Sequence, residues 1–132
     1  MLTTVKKYII IFGIGAIAYS LIEVIVRQYT HWTMTLTGGA VFCTLYYINT
    51  HIKLRSLFLR CLIGSAVITG YEFAVGMIVN YTFHMGVWDY SSKFLNLFGQ
   101  ICLKFSVLWF LLCIPVTALI YLLRNKLDKI IV

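Results

Sequence analysis

Four long apolar runs constrain the fold of this 132-residue chain more than any other feature. A helix needs roughly 20 residues to cross a bilayer, and only helices or closed barrels satisfy the backbone in lipid. The runs are continuous rather than alternating, which favours helices. They cover about residues 8–26, 34–50, 57–79 and 101–123. The sequence therefore predicts an all-α, integral membrane four-helix bundle that forms a single transmembrane domain over residues 1–132.

The composition agrees with a membrane protein. Hydrophobic residues make up 61% of the chain and charged residues only 11%, whereas a soluble domain carries about 25% charged residues. The stretch "KKYIIIFGIGAIA" has the lysines and apolar core of a signal peptide. Because the apolar run continues through "YSLIEVIV", we interpret it as a retained first helix.

The distribution of basic residues indicates the topology, although the net charge of +7 could also suggest nucleic acid. Eight basic residues fall on one side of a four-span protein: Lys6, Lys7, Lys53, Arg55, Arg60, Arg124, Lys126 and Lys129. The other three are Arg27, Lys93 and Lys104. The positive-inside rule then predicts cytoplasmic N and C termini, and we expect a multi-pass protein of the plasma membrane. We expect membrane lipids as partners and no nucleic acid.

Two features of the apolar chain predict close packing and an unusual connection. Gly38 and Gly39 in the second span are typical of a notch where another helix approaches closely. Residues 80–100 are too aromatic for a solvated loop and too polar for a span. They predict an interfacial or re-entrant segment between spans three and four, with Trp88 and Tyr90 as anchors at headgroup depth.

Rare charged residues gather at one predicted depth, in the outer leaflet. A carboxylate within the membrane costs about 2.5–3.5 kcal/mol even on the lenient insertion scale, so Glu23 and Glu72 need partners or a use. Arg27 follows Glu23 at i+4 in the favourable order. Glu72 could pair with Arg27, Lys104 or a bound cation, or could be protonated. Structural ion pairs, Glu23–Arg27 and Glu72–Lys104, are the alternative to a binding site.

Metal and cofactor signatures are weak. His31 and His84 could join the carboxylates as metal ligands, but lone histidines beside tryptophan at an interface more often face headgroups. The four cysteines have no metal-ligand spacing, and no nucleophile or phosphate-loop motif occurs. The sequence predicts no metal and no cofactor. It leaves the question of catalysis open while leaning towards a non-enzyme.

Three stretches carry a family resemblance: "IEVIVRQYTHWTMTLTGG", "ITGYEFAVGMIVN" and "VWDYSSKFLNLFGQICLKFSVLWF". In this order they resemble the ABC-transporter permease CmpB family of small bacterial polytopic membrane proteins, to which transmembrane protein 229 is related. The resemblance implies a permease-like membrane protein without naming a substrate. It marks Glu23, Arg27, His31, Trp32, Gly39, Glu72, Gly76, Asn80, Trp88, Asp89, Tyr90, Asn96, Gly99 and Gln100.

The leading hypothesis is a transporter-like protein with an outward-facing polar intramembrane pocket for a small polar ligand or lipid headgroup. Four helices barely enclose a pathway, so transport would need a homo-oligomer or a partner membrane subunit. The candidate ligand-binding residues are Glu23, Arg27, His31, Glu72, Asn80, Trp88, Asp89, Tyr90, Asn96, Gln100 and Lys104. The alternatives are a membrane-embedded enzyme acting on lipid-linked substrates and a structural or regulatory subunit of a membrane complex.

Overall fold

A computed structural model of the chain describes residues 2–28, 30–52, 56–92 and 94–131, without the side chains of residues 2, 27, 128, 130 and 131. It contains four α-helices: α1 (Leu2–Arg27), α2 (Trp32–His51), α3 (Leu57–Gly76) and α4 (Leu103–Ile131). A π-helical turn, Met77–Thr82, follows α3 directly. The described residues include no strand, only an isolated bridge between Leu97 and Ile101. The predicted all-α fold is confirmed.

Three helical segments of the described chain are long and apolar enough to cross a membrane: Thr3–Val26, Leu57–Thr82 and Leu103–Leu127. The fourth helix, α2, is not among them, and five of its 20 residues are threonines. Three of these hydroxyls donate to carbonyls one turn earlier, over 2.7–2.9 Å, and so are satisfied within the helix. That α2 spans the membrane, and that both termini are cytoplasmic, stays a prediction.

The chain divides into two compact units. The first unit comprises Met1–Lys53 and Thr117–Val132, and the second comprises Leu54–Val116. The first therefore contains α1, α2 and the C-terminal part of α4. The second contains α3, the π-helical turn, the connection to α4 and the N-terminal part of α4. That the whole chain forms one transmembrane domain stays a prediction.

Glycines bring α1 and α2 into close contact in the first unit. A Cβ at Gly15 would lie only 2.9 Å from the carbonyl oxygen of Gly38, and a Cβ at Gly38 would lie 3.2 Å from that of Gly15. A Cβ at Gly39 would lie 2.7 Å from the ring of Phe12. The packing notch predicted at Gly38 and Gly39 is confirmed, and Gly15 is its counterpart on α1.

In the second unit, hydroxyl groups join α3 to the first part of α4. Ser65 Oγ donates to the carbonyl oxygen of Ser106 over 2.8 Å, and Thr69 Oγ1 lies 3.1 Å from Ser106 Oγ. Further along, Phe58 and Phe110 meet edge to face with ring centroids 5.4 Å apart. Between apolar helices such contacts fix the register, because lipid offers no hydrophobic driving force for association.

Candidate functional site

The connection between the π-helical turn and α4 is anchored by the side chain of Asn80. Its Oδ1 accepts the backbone N–H of Val87 over 2.6 Å, and its Nδ2 donates to Gln100 Oε1 over 3.0 Å. The indole N–H of Trp88 donates to the backbone carbonyl of Gln100 over 2.9 Å. Gly76 leaves room for this arrangement, because a Cβ there would lie 2.9 Å from Trp88 Cζ2. A set of residues marked by the sequence thus builds one folded segment.

A second chain of hydrogen bonds closes the turn that follows. Tyr90 N–H donates to the carbonyl of Gly99 over 2.7 Å, and Gly99 N–H donates to Asn96 Oδ1 over 3.1 Å. Asn96 Nδ2 donates to the carbonyl of Ser91 over 3.2 Å. Gly99 has a φ of +71°, and a Cβ at this position would lie 3.0 Å from Asp89 Oδ1. Both the backbone conformation and the close approach favour glycine there.

The carboxylate of Glu72 joins this segment to α3 and α4. Glu72 is only 2% exposed. Its Oε1 accepts the indole N–H of Trp109 over 2.7 Å, and its Oε2 accepts the hydroxyl of Tyr90 over 3.2 Å. The ring of Tyr90 stacks on Phe105, with centroids 4.8 Å apart and planes inclined by 9°. Since burying a carboxylate is costly without hydrogen bonds, these donors explain how the second unit holds one.

A cleft of about 540 Å³ opens beside this network in the second unit. It is lined by Asn80, Tyr81, His84, Gly86, Trp88, Asp89 and Gln100. Four of these residues belong to the ligand-binding set predicted from the sequence: Asn80, Trp88, Asp89 and Gln100. The cleft combines two amides, a carboxylate and an imidazole with aromatic walls, which suits a small polar ligand.

The carboxylate of Asp89 gives this cleft a negative charge. The backbone N–H of Ser91 donates to Asp89 Oδ1 over 2.9 Å. This hydrogen bond, with a second from the Ser91 hydroxyl, holds the pKa of Asp89 below its ordinary value of 3.8. The side chain therefore stays ionised well below neutral pH, and the cleft favours a ligand that carries a cationic or hydrogen-bond-donating group.

Trp88 and Tyr90 do not form the exposed anchors that their position in the sequence suggests. They are 5% and 3% exposed, respectively, because the indole N–H and the phenol hydroxyl have hydrogen-bond acceptors inside the second unit. The exposed large apolar side chains of the connection are others: Phe83, Met85, Phe94, Leu95, Leu97 and Phe98. Such an exposed apolar surface is compatible with the predicted interfacial location, which stays a prediction.

His31 and Lys104 lie outside the cleft. His31 precedes α2 as its N-cap, where its Nδ1 accepts the backbone N–H of Thr33 over 3.3 Å. This contact satisfies one of the donors left open at a helix start. Lys104 is exposed, and its Nζ lies 5.8 Å from the ring centroid of Phe105. A ligand-binding role for either residue stays a prediction.

The acids predicted to converge belong to different units. Glu23 is buried and lies in the first unit, whereas Glu72 lies in the second. The side chain of Arg27 is outside the described part of the chain. A shared chamber for Glu23 and Glu72 therefore stays a prediction, and so does the pairing of Glu23 with Arg27.

Sequence reasoning missed Trp109 and left three cleft residues, Tyr81, His84 and Gly86, out of the predicted ligand-binding set. Trp109 did carry a usable signal, because it lies inside an apolar run rather than at its end. A buried indole N–H usually needs an acceptor, and an intramembrane carboxylate is an obvious one. Within the described ranges, no three His, Cys, Asp or Glu side chains come together as a metal site.

Replacing Asn80 with aspartate should loosen the connection between the π-helical turn and α4. The variant keeps an acceptor for Val87 but loses the donor to Gln100 Oε1, at a cost of about 1–3 kcal/mol. We expect faster amide hydrogen exchange across residues 87–101. Asn125→Asp on an exposed position of α4 is the control. Equal exchange in both variants would contradict the anchoring role of Asn80.

Comparison with known protein families assigns this chain to a family. The model of a family described as "Putative ABC-transporter type IV" matches residues 4–131. No curated protein and no solved structure matches the chain. The matched range includes every residue of the cleft and of the Glu72 network.

Proposed function

Because this chain belongs to the ABC-transporter type IV family, we propose that it is a transporter-like subunit of the plasma membrane that binds a small polar ligand or lipid headgroup. The chain is a transporter-like membrane protein with three helices of spanning length and hydropathy. The multi-pass topology, the outward orientation of the cleft and the ligand class are proposed.

The cleft of about 540 Å³ in the second unit carries this proposal. It is large enough for a small polar molecule, and its lining includes four of the residues predicted to bind the ligand. The connection that forms the cleft is held rigid by hydrogen bonds to Asn80 and Gln100. Rigid support of this kind holds binding groups in place before the ligand arrives, which reduces the entropy lost on binding.

The chemistry of the lining favours a cationic group on the ligand. Asp89 supplies the negative charge, and the aromatic rings of Tyr81 and Trp88 offer surfaces that attract cations. Glu72 holds Tyr90 against α3, and Tyr90 directly follows Asp89 in the chain. We therefore assign Glu72 a positioning role in forming the cleft, beside its predicted role in binding cations or protons.

Transport would require further subunits. A single chain of four helices barely encloses a pathway, so we propose a homo-oligomer or a complex with another membrane subunit. Any ATP-driven step would take place on a separate ATPase chain. Native mass spectrometry of protein extracted gently from its own membranes would report the copy number, companion chains and retained small molecules together.

Asp89→Asn is the sharpest test of the cleft. Asparagine can still accept the N–H of Ser91, so the turn is kept while the negative charge is removed. We expect severalfold weaker retention of lipids with amine or ammonium headgroups in nanodiscs, measured by native mass spectrometry. Retention of phosphatidylglycerol should not fall.

Ser92→Ala provides the control for Asp89→Asn, because Ser92 is exposed in the same turn and does not line the cleft. If both variants bind like the original protein, and no small molecule is retained from native membranes, the cleft is not the binding site. Co-purification of a stable protein partner in that case would favour a structural or regulatory subunit.

A further inference from the structure

A second polar cavity lies in the first unit and is formed by residues that precede and follow the cleft residues in the sequence. Its volume is about 230 Å³, and it is lined by Thr4, Lys7, Tyr8, Tyr46, Thr50, His51 and Arg124. It thus joins the start of α1, the end of α2 and the last part of α4. Of these described lining residues, three are basic and none is acidic. Such a set of side chains favours an anion.

The hydroxyl of Tyr8 gives a second, independent indication of a ligand. Its oxygen is buried and has no hydrogen-bond partner among the described residues. The ring is fixed by an edge-to-face contact with Tyr46, with centroids 5.7 Å apart. A buried hydroxyl without a partner costs about 1–3 kcal/mol, so such groups usually bind something. A ligand in this cavity would supply the missing partner.

The neighbouring groups supply donors of the kind that bind an anion. His51 Nδ1 lies 3.2 Å from the carbonyl oxygen of Tyr47, and the two rings stack at 4.3 Å, which fixes the imidazole. Thr4 lies in the first turn of α1, where backbone N–H groups lack intrahelical acceptors and the helix dipole is positive. Arg124 can bind a phosphate group through two parallel hydrogen bonds.

An apolar groove borders this cavity and indicates what else the ligand carries. The groove is lined by Thr4, Val5, Tyr8, Ile9, Phe12 and Cys43, and it shares Thr4 and Tyr8 with the polar cavity. Its volume is about 610 Å³. A basic polar cavity that shares two residues with an apolar groove matches a molecule with a phosphate at one end and a hydrocarbon chain at the other.

We propose that this cavity binds the phosphate group of an anionic phospholipid, with Lys7, His51 and Arg124 around the phosphate and the Tyr8 hydroxyl donating to it. One acyl chain lies in the groove along α1. This site lies at the end of the helices that is predicted to face the cytoplasm, where anionic lipids are enriched. It shares no residue with the cleft of the second unit, so the two proposals stand or fall separately.

The test compares lipid retention by the purified full-length protein in nanodiscs, measured by native mass spectrometry. The probes are phosphatidic acid, phosphatidylcholine and water-soluble glycerol 3-phosphate. We expect a preference for phosphatidic acid that Lys7→Gln and Arg124→Gln each reduce about tenfold, the value of one charge-assisted hydrogen bond. The matched controls Lys6→Gln and Lys126→Gln remove the same charge from exposed positions outside the cavity and should reduce it less than about twofold.

Tyr8→Phe keeps the test valid if a charge variant fails to fold. It removes one oxygen that has no hydrogen-bond partner among the described residues, so the variant without lipid should be at least as stable as the original. Binding of phosphatidic acid should nevertheless weaken severalfold. If the cavity variants and their controls lost phosphatidic acid retention equally, binding would reflect general charge attraction, and the proposal would be overturned. Equally tight binding of glycerol 3-phosphate and phosphatidic acid would overturn the assignment to a lipid.

Discussion

Replacing Trp109 with phenylalanine should lower the free energy of unfolding by about 2–3 kcal/mol, although the aromatic ring is kept. The variant removes the N–H that donates to Glu72 Oε1 over 2.7 Å. Glu72 is buried, and a buried acceptor that loses a donor costs about 1–3 kcal/mol, or more when it is charged. The measurement is reversible unfolding by SDS in mixed micelles.

Trp32→Phe is the matched control, because Trp32 is 64% exposed on α2. We expect that variant to change stability by less than about 0.5 kcal/mol. If Trp109→Phe and Trp32→Phe lowered the free energy of unfolding equally, the hydrogen bond from Trp109 to Glu72 would not contribute to stability.

A double-mutant cycle separates the hydrogen bond from the packing of the indole. In a Glu72→Leu background there is no carboxylate left to lose its donor, so Trp109→Phe should cost much less. Glu72→Leu should be destabilising on its own, because it leaves the indole N–H of Trp109 and the hydroxyl of Tyr90 without their acceptor. A Trp109→Phe loss that is unchanged by Glu72→Leu would contradict the pairing.

The helices were predictable because a bilayer-length apolar run has few alternatives. Each predicted span lies largely within a helix of the structure, and the differences occur at the ends. The lysines before residue 8 and the basic stretch after residue 123 are good helix formers, so α1 begins at Leu2 and α4 continues to Ile131. Apolar runs indicate the length of chain that lipid can cover, not the length of the helix.

Pairings between distant residues were not predictable in the same way. Trp109 is 37 residues from its acceptor Glu72, and Asn80 is 20 residues from Gln100. Neither pair follows from periodicity or spacing, because both depend on how the connection folds back on α3. Trp88 and Tyr90 illustrate the same limit. In the sequence, an aromatic residue that anchors the protein at the interface looks the same as one that is buried and hydrogen-bonded.

Replacing Gly15 with alanine should separate α1 from α2 and reduce stability by about 1–3 kcal/mol, the usual cost of overpacking. The new Cβ would meet two atoms of α2, the Cβ of Phe42, which is nearest, and a backbone atom, the carbonyl oxygen of Gly38, at 2.9 Å. A backbone atom cannot swing aside, so the helices themselves must move. Gly38→Ala should have a similar effect, because its Cβ would lie 2.8 Å from Cγ of Tyr19.

The same helix offers a control that makes this prediction sharp. A Cβ at Gly13 would have no atom within 4 Å, so Gly13→Ala should not destabilise the protein. The loss of stability in Gly39→Ala should lie between those of Gly15→Ala and Gly13→Ala, because its obstacle is the far end of the Phe12 ring, which can rotate away. Unfolding by SDS should therefore rank the losses as Gly15 and Gly38 above Gly39, with Gly13 near zero. If Gly15→Ala proves no more costly than Gly13→Ala, the α1–α2 contact does not depend on the close approach of the two backbones.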